Sequence, residues 1–260
     1  MDLLIQNATI VDGTGGPARL GDVSVSGGRI LAMGAAFSLP TENCEQILDA
    51  TGLVLTPGFV DPHTHYDAQL FWDPTGSPSN LHGVTTIIGG NCGFTLAPLA
   101  PEDADYTRQM MAKVEGMPLA ALETGITWDW QTFGEYLSRL EGNLGMNAGF
   151  LVGHCALRRN VMGDQAVQGP ASAKQLEEMR TLLAESIQAG GLGFSTTLAR
   201  THSDGDGLAV ASRWATEEEL LSLASVVSEH EGTTLEFASD GCLDGFSEDE
   251  VAFMIKFSQA

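Results

Sequence analysis

The sequence predicts an α/β chain: a small β-unit over residues 1–56, then repeated βα units over residues 57–260. Three observations carry this. Residues 2–12 alternate apolar and polar side chains, as a half-buried strand does. From Phe59 onward, short apolar runs alternate with helical patterns, the signature of a parallel sheet. Glycine is plentiful at 31 residues and aromatics are few at 7%, which suits short strands joined by tight loops.

The elements follow in order. After the strand at 2–12, residues 20–34 read as two strands around the hairpin signal Gly27-Gly28, and 46–55 as a further strand region leading to Pro57-Gly58. The βα region places strands near 57–63, 84–90, 147–153, 191–196 and 233–238. Capping-box pairs open three helices: Ser172 with Gln175, Thr216 with Glu219, and Ser247 with Glu250. Residues 101–143, with Trp128, Trp130, Phe133 and Tyr136, exceed a simple connection and are expected to form helices plus a loop over the site. A closed eight-stranded barrel takes roughly 250 residues, more than the ~205 that follow the β-unit. The expectation is therefore an incomplete sheet of about five βα units, completed by a further stretch of chain or by another copy.

A formal net charge of −22 argues against nucleic acid or an anionic membrane as partner, because nothing would neutralise phosphate. The four cysteines, Cys44, Cys92, Cys155 and Cys242, form no Cys-x-x-Cys pair. With no signal-peptide pattern and no apolar run long enough for a bilayer, the expectation is a cytoplasmic protein with reduced thiols.

The chemistry concentrates in Pro57-Gly-Phe-Val-Asp-Pro-His63-Thr-His65, an apolar run ending in two histidines one residue apart. On a strand, positions i and i+2 share a face, so both imidazoles aim at one point beyond the strand end. This is half of a site for zinc or a similar divalent ion. Cys92 follows the next strand through Gly89-Gly90-Asn91, which brings a soft thiolate ligand to the same rim. Two-metal hydrolases on this plan often bridge their ions with a carboxylated lysine. The three lysines, Lys113, Lys174 and Lys256, all fall in predicted helices, which leaves Cys92 for that position. His154 closes the third strand and is expected to line the rim. His202 lies in the polar loop Arg200 to Gly207, where contact with substrate is one reading and a solvated loop the other.

The Pro-Gly-Phe-Val-Asp-Pro-His-Thr-His and Gly-Gly-Asn-Cys-Gly-Phe runs resemble the amidohydrolase superfamily, and within it the N-terminal portion of the N-acyl-D-amino-acid deacylases. Leu151-Val-Gly-His154, Leu157-Arg158 and Gly191-Leu-Gly-Phe-Ser-Thr196 fit the same pattern. The resemblance implies a metal-centred TIM barrel with a flanking β-sandwich, one or two bound Zn2+ or similar ions, and hydrolysis of a small N-acyl amino acid. In that scheme the ion lowers the pKa of water to about 7 and a carboxylate passes the proton to the leaving amine. His63, His65 and Cys92 carry over as metal ligands. The fifth strand lacks the histidine the deacylases place there, and Glu236 is the candidate oxygen ligand in its stead, ahead of Asp240. Arg200 stands where the deacylases carry a tyrosine and is a candidate to hold a substrate carboxylate; His154 is the other candidate substrate contact. The catalytic aspartate of the family is expected beyond Ala260. Two alternatives stay open: a cyclic-amide hydrolase of the dihydroorotase or hydantoinase kind, and a non-catalytic binding module.

Overall fold

The computed structural model describes all residues from Met1 to Ala260, in two compact units, Met1–Phe59 and Val60–Ala260. The first is one five-stranded sheet of β1 (Leu3–Ile10), β2 (Arg19–Ser26), β3 (Arg29–Ala35), β4 (Gln46–Asp49) and β5 (Val54–Leu55). Its order is β3-β2-β1-β4, with β5 also on β1. β1 and β2 run antiparallel, with Leu3 opposite Val25 and Ile10 opposite Arg19, while β4 and β5 lie parallel to β1. Ala8, Ile10, Val23 and Ala50 form the buried cluster of one face, while Leu4 is buried on the other. The bulge between Ile5 and Ala8 turns the Asn7 N–H onto Asp22 Oδ1 at 2.9 Å. Phe37 and Leu39 donate to the same fully buried carboxylate. Burial opposes its ionisation, but these backbone donors prevail and hold the acid below the usual carboxylate range.

The second unit holds β6 (Phe59–Asp61), β7 (Val84–Gly89), β8 (Asn147–Phe150), β9 (Val152–Gly153), β10 (Gly193–Thr197) and β11 (Thr234–Ala238). They form two three-stranded sheets, β6-β7-β8 and β9-β10-β11. The pairs β7·β8, β9·β10 and β10·β11 are parallel. Only Leu151 separates β8 from β9. Its N–H donates to Gly89 O at 3.0 Å, while Phe150 O accepts from Leu192 N–H at 2.8 Å. One chain segment thus belongs to both sheets, and the strands follow one another in sequence order. Gly193 is required where β10 meets β11: at φ 130° a Cβ there would lie 1.9 Å from Thr234 O.

The helices are α1 (Ala104–Val114), α2 (Leu119–Thr124), α3 (Phe133–Leu140), α4 (His154–Met162), α5 (Ala173–Gln188), α6 (Glu217–Ser228), α7 (Gly241–Asp244) and α8 (Glu248–Ser258). Capping boxes open α5 at Ser172 and α8 at Ser247 as the sequence predicts. At α6 only half of the expected box forms. Thr216 Oγ1 accepts the Glu219 N–H at 3.2 Å, but the Glu219 carboxylate turns inward to Arg158 and His154. A buried guanidinium needs a counter-charge more than the exposed N-terminus of a helix needs a second acceptor.

The 101–143 segment packs its aromatics into the core. Trp130, Phe133 and Tyr136 are buried, and Trp130 stacks on Phe71 with ring centroids 5.2 Å apart. Lys113, Lys174 and Lys256 lie on α1, α5 and α8.

Candidate metal centre

β6 is shorter than the sequence suggests because Pro62 has no N–H to continue the ladder. The alignment nevertheless persists beyond it. Thr64 donates its N–H and its hydroxyl to Ile88 O, at 3.0 and 2.8 Å, which keeps the flanking histidines beside the end of β7. Asp61 Oδ1 accepts the His63 N–H at 3.3 Å.

After β7 the chain must turn within three residues to deliver Cys92. Gly90 makes this possible: at φ 72° it lies so close to Leu151 that a Cβ would sit 2.2 Å from its carbonyl oxygen. Cys92 itself adopts φ 54°, a left-handed conformation that side chains other than glycine rarely take. Hydrogen bonds on every side hold it. Asn91 Nδ2 donates to Thr64 O and Ile88 O, Cys92 N–H donates to Glu236 Oε2 at 2.8 Å, and Gly93 N–H donates to Ser195 Oγ at 3.0 Å. The Ser195 hydroxyl in turn donates to Gly90 O.

The result is a cluster. One ligand atom each from His63, His65 and Cys92 lies within 4.8 Å of the others. His63 Nε2 is 3.4 Å from Cys92 Sγ, and the two imidazoles meet edge to face at 5.3 Å between centroids. Glu236 stands behind them. Its Oε1 is 4.0 Å from His63 Nδ1, and its other oxygen is taken by the Cys92 N–H. Three of the four expected metal ligands therefore converge, with the fourth beside them.

The electrostatics of the cluster match a site built for a cation. Burial pushes the Cys92 thiol well above its usual range, helped by Glu236 and Glu115. Burial raises Glu236 to about 7 against the pull of the Cys92 N–H, and raises Glu115 to about 7 with Asp67 adding to it. Burial, then the neighbouring His63 and His202, lower His65 to about 4. Each anionic group is disfavoured as an anion and the imidazole is kept neutral. A divalent ion reverses the first effect and requires the second. His65 Nδ1 is also buried without a hydrogen-bond partner. The donor set of two imidazoles and a thiol, with an oxygen at hand, suits zinc in a tetrahedral site.

Two expected substrate contacts fare differently. His154 is a correction. It does follow its strand, but the ring is fully buried and both nitrogens are engaged, Nδ1 with Thr196 Oγ1 at 2.8 Å and Nε2 with Glu219 Oε1 at 2.9 Å. The helix α4 begins at His154 and carries the side chain inward, so it offers no edge to a ligand. Arg200 is 78% exposed and pairs with Asp240, whose other oxygen accepts the Arg200 N–H at 2.7 Å.

Residues beyond the expected ligands complete the surroundings. Asp67 is fully buried, accepts the Gly90 N–H at 3.1 Å and leaves Oδ1 without a partner. Glu115 Oε1 lies 3.3 Å from His65 Nδ1. His202, anchored through Nδ1 to Thr197 Oγ1 at 2.8 Å, packs against Phe94, which also touches His65. Asp67 falls two residues after His65, a spacing that could have drawn notice; Glu115 carries no local signal, and of these only His202 is named by the sequence, in its polar loop.

Comparisons with known proteins identify the family. The model of the Amidohydro_3 amidohydrolase family matches residues 46–260. The N-acyl-D-aspartate deacylase of Alcaligenes xylosoxydans xylosoxydans is 41% identical over 196 residues, covering 75% of this chain and 36% of that protein. The crystal structure of D-aminoacylase superposes with a TM-score of 0.74 at 30% identity, over 98% of this chain and 48% of that one. The N-acyl-D-glutamate deacylase from Bordetella bronchiseptica, solved with zinc and a phosphonate inhibitor, gives 0.72 at 28% identity, over 98% and 48%. The chain thus spans less than half the length of these relatives. It has the α/β amidohydrolase fold, and no helix is long and apolar enough to cross a membrane. By sequence and by structure alike, the chain belongs to the amidohydrolase superfamily, in its D-aminoacylase branch.

Proposed function

We propose that this chain supplies the metal-holding part of a hydrolase that cleaves non-peptide C–N amide bonds, with N-acyl-D-amino acids as substrates. The observation that carries the reading is the convergence of His63, His65 and Cys92 within 4.8 Å. These three would hold a zinc ion, with Glu236 Oε1 as the further oxygen donor. A divalent ion there supplies polarisation of the amide carbonyl and a water of lowered pKa.

The chain's own groups do the rest of what is visible. Burial keeps His65 neutral, with a lone pair free for coordination. The hydrogen bonds around Cys92 fix its sulfur before any ligand arrives, which spares reorganisation during the reaction. Arg200 already holds one carboxylate, Asp240, and would exchange it for the carboxylate of the substrate. We read β6 to β11, with β8 and β9 as one interrupted strand, as the first five strands of an eight-stranded barrel and the N-terminal sheet as one layer of a sandwich. The resemblance puts the aspartate that moves the proton to the leaving amine beyond Ala260. The relatives named as D-aspartate, D-glutamate and D-amino-acid deacylases support this choice of substrate.

The test combines elemental analysis with a substrate panel, on this chain and on a longer protein carrying the remaining strands. Zinc retained by both, with turnover of N-acetyl-D-amino acids by the longer protein, is the expected result. Preference for cyclic amides would replace the substrate class. Absence of any bound divalent metal, with chelator leaving thermal stability unchanged, would remove the enzymatic reading altogether.

A further inference from the structure

We propose that Glu115 is a positioning residue of the metal centre: it holds the His65 imidazole with its proton on Nδ1 and so turns Nε2 toward the ion. The inference rests on the reading above, that His63, His65 and Cys92 bind a divalent metal.

The geometry comes first. His65 Nδ1 is buried and has no hydrogen-bond partner, and the nearest carboxylate oxygen is Glu115 Oε1 at 3.3 Å. The two atoms are close without being aligned. The terminal torsion of a glutamate is broad and low in energy, so alignment asks for no backbone movement. The two nitrogens of an imidazole face away from each other. With Nδ1 turned to Glu115, the opposite nitrogen is the one left for the cluster with His63 and Cys92.

The placement of Glu115 is otherwise hard to explain. It caps the C-terminal end of α1, where the helix dipole disfavours a negative charge. Its side chain is only 13% exposed. Its carboxylate makes no hydrogen bond and no ion pair with arginine or lysine; His65 is its only charged-group contact. An acid buried at a helix C-terminus, against one imidazole, is accounted for if that imidazole becomes a donor. Metal coordination through Nε2 does this, because it fixes the proton on Nδ1 and makes that N–H a stronger donor. The carboxylate in return orients the ring and raises its basicity toward the metal. Glu236 cannot serve His65 in this way: it lies beside His63, and one of its oxygens is committed to the Cys92 N–H.

The experiment compares the full chain with E115A, E115Q and E115D. Zinc affinity is read by chelator competition, the His65 tautomer by 15N NMR of the ring, and folding by thermal midpoint without metal. Expected is a 10- to 100-fold loss of zinc affinity in E115A, with the metal-free midpoint unchanged and His65 no longer held in the Nδ1–H form. E115Q keeps an acceptor oxygen at the same reach and should stay within about threefold of wild type. E115D, one methylene shorter, should fall between, and it carries the test if E115A does not fold. Unchanged affinity and tautomer in E115A or E115D would overturn the inference, as would equal losses in E115Q and E115A. If the wild-type chain binds zinc no better than an H63N/H65N variant, the metal centre itself is refuted. Tight wild-type binding with E115A equally tight refutes Glu115 alone.

Discussion

His65 and His154 invite comparison. Both follow the end of a strand, and both are largely withdrawn from water. His154 has every polar atom satisfied, by Thr196 on one side and by Glu219 on the other, with Arg158 Nη1 2.6 Å from each oxygen of the same carboxylate. His65 has a buried nitrogen with no hydrogen bond, and sits among groups whose charged forms are disfavoured. A buried polar group left unpaired is costly, and on the proposed reading a metal on the opposite nitrogen would relieve that cost by making the Nδ1–H a donor to Glu115. What separates the two rings is not their place at a strand end but the state of their hydrogen bonds.

Breaking the His154 side of the comparison should have the largest effect on stability. Removing Arg158 (R158A) strands the Glu219 carboxylate in the core, and a loss of about 3–5 kcal/mol is expected, measured by denaturant unfolding. Zinc uptake by the folded fraction should not change. The His65 side should behave in the opposite way. H65N and C92S are each expected to lower zinc affinity by at least about 100-fold, beyond the range for groups that stand behind a ligand. Zinc at 100 times its dissociation constant should raise wild-type stability by about 2.7 kcal/mol, and H154Q should retain that increment while H65N loses it. Equal loss in H154Q would erase the distinction.

A pH series sharpens the comparison with a smaller effect. Burial lowers the pKa of His154 below its ordinary 6.5, although Glu219 pulls it the other way. The unfolded chain therefore takes up the proton first. Stability from this group is complete above pH 6.5 and declines as the pH falls below it. The stability advantage of wild type over H154Q should shrink between pH 7 and pH 5; a widening gap would mean that His154 is charged in the native protein. The smallest effect belongs to the exposed Arg200–Asp240 pair, where R200A should change stability by less than ~1 kcal/mol while weakening binding of a carboxylate substrate.

Much of the fold was legible because its signals are local. The alternation at 2–12, the turn at Gly27-Gly28, and the capping boxes at Ser172 and Ser247 each depend on a few neighbouring residues, and each stands in the structure. The cluster was legible for a related reason: His63 and His65 are neighbours in sequence, and Cys92 follows directly on a strand. Apart from the early end of β6 at Pro62, the failures are long-range. Glu219 was read as a cap because Thr216 is three residues away, while its true partners, His154 and Arg158, lie 65 and 61 residues off. His154 was placed on the rim because nothing local announces that α4 starts at that residue. Glu115, 50 residues from His65 by numbering, acquires its meaning only when α1 comes to rest beside the site.

The single residue between β8 and β9 bears on how the ligands keep their spacing. The Phe150–Leu151 peptide gives its amide to one sheet and its carbonyl to the other, so it acts as a rivet between them. Cys92 hangs from the first sheet, whereas the Ser195 and Glu236 groups that hold the Cys92 loop belong to the second. A shift of one sheet past the other would pull the sulfur away from its imidazoles. The separation of the donors is thereby gauged by the wall of strands rather than by the loops above it.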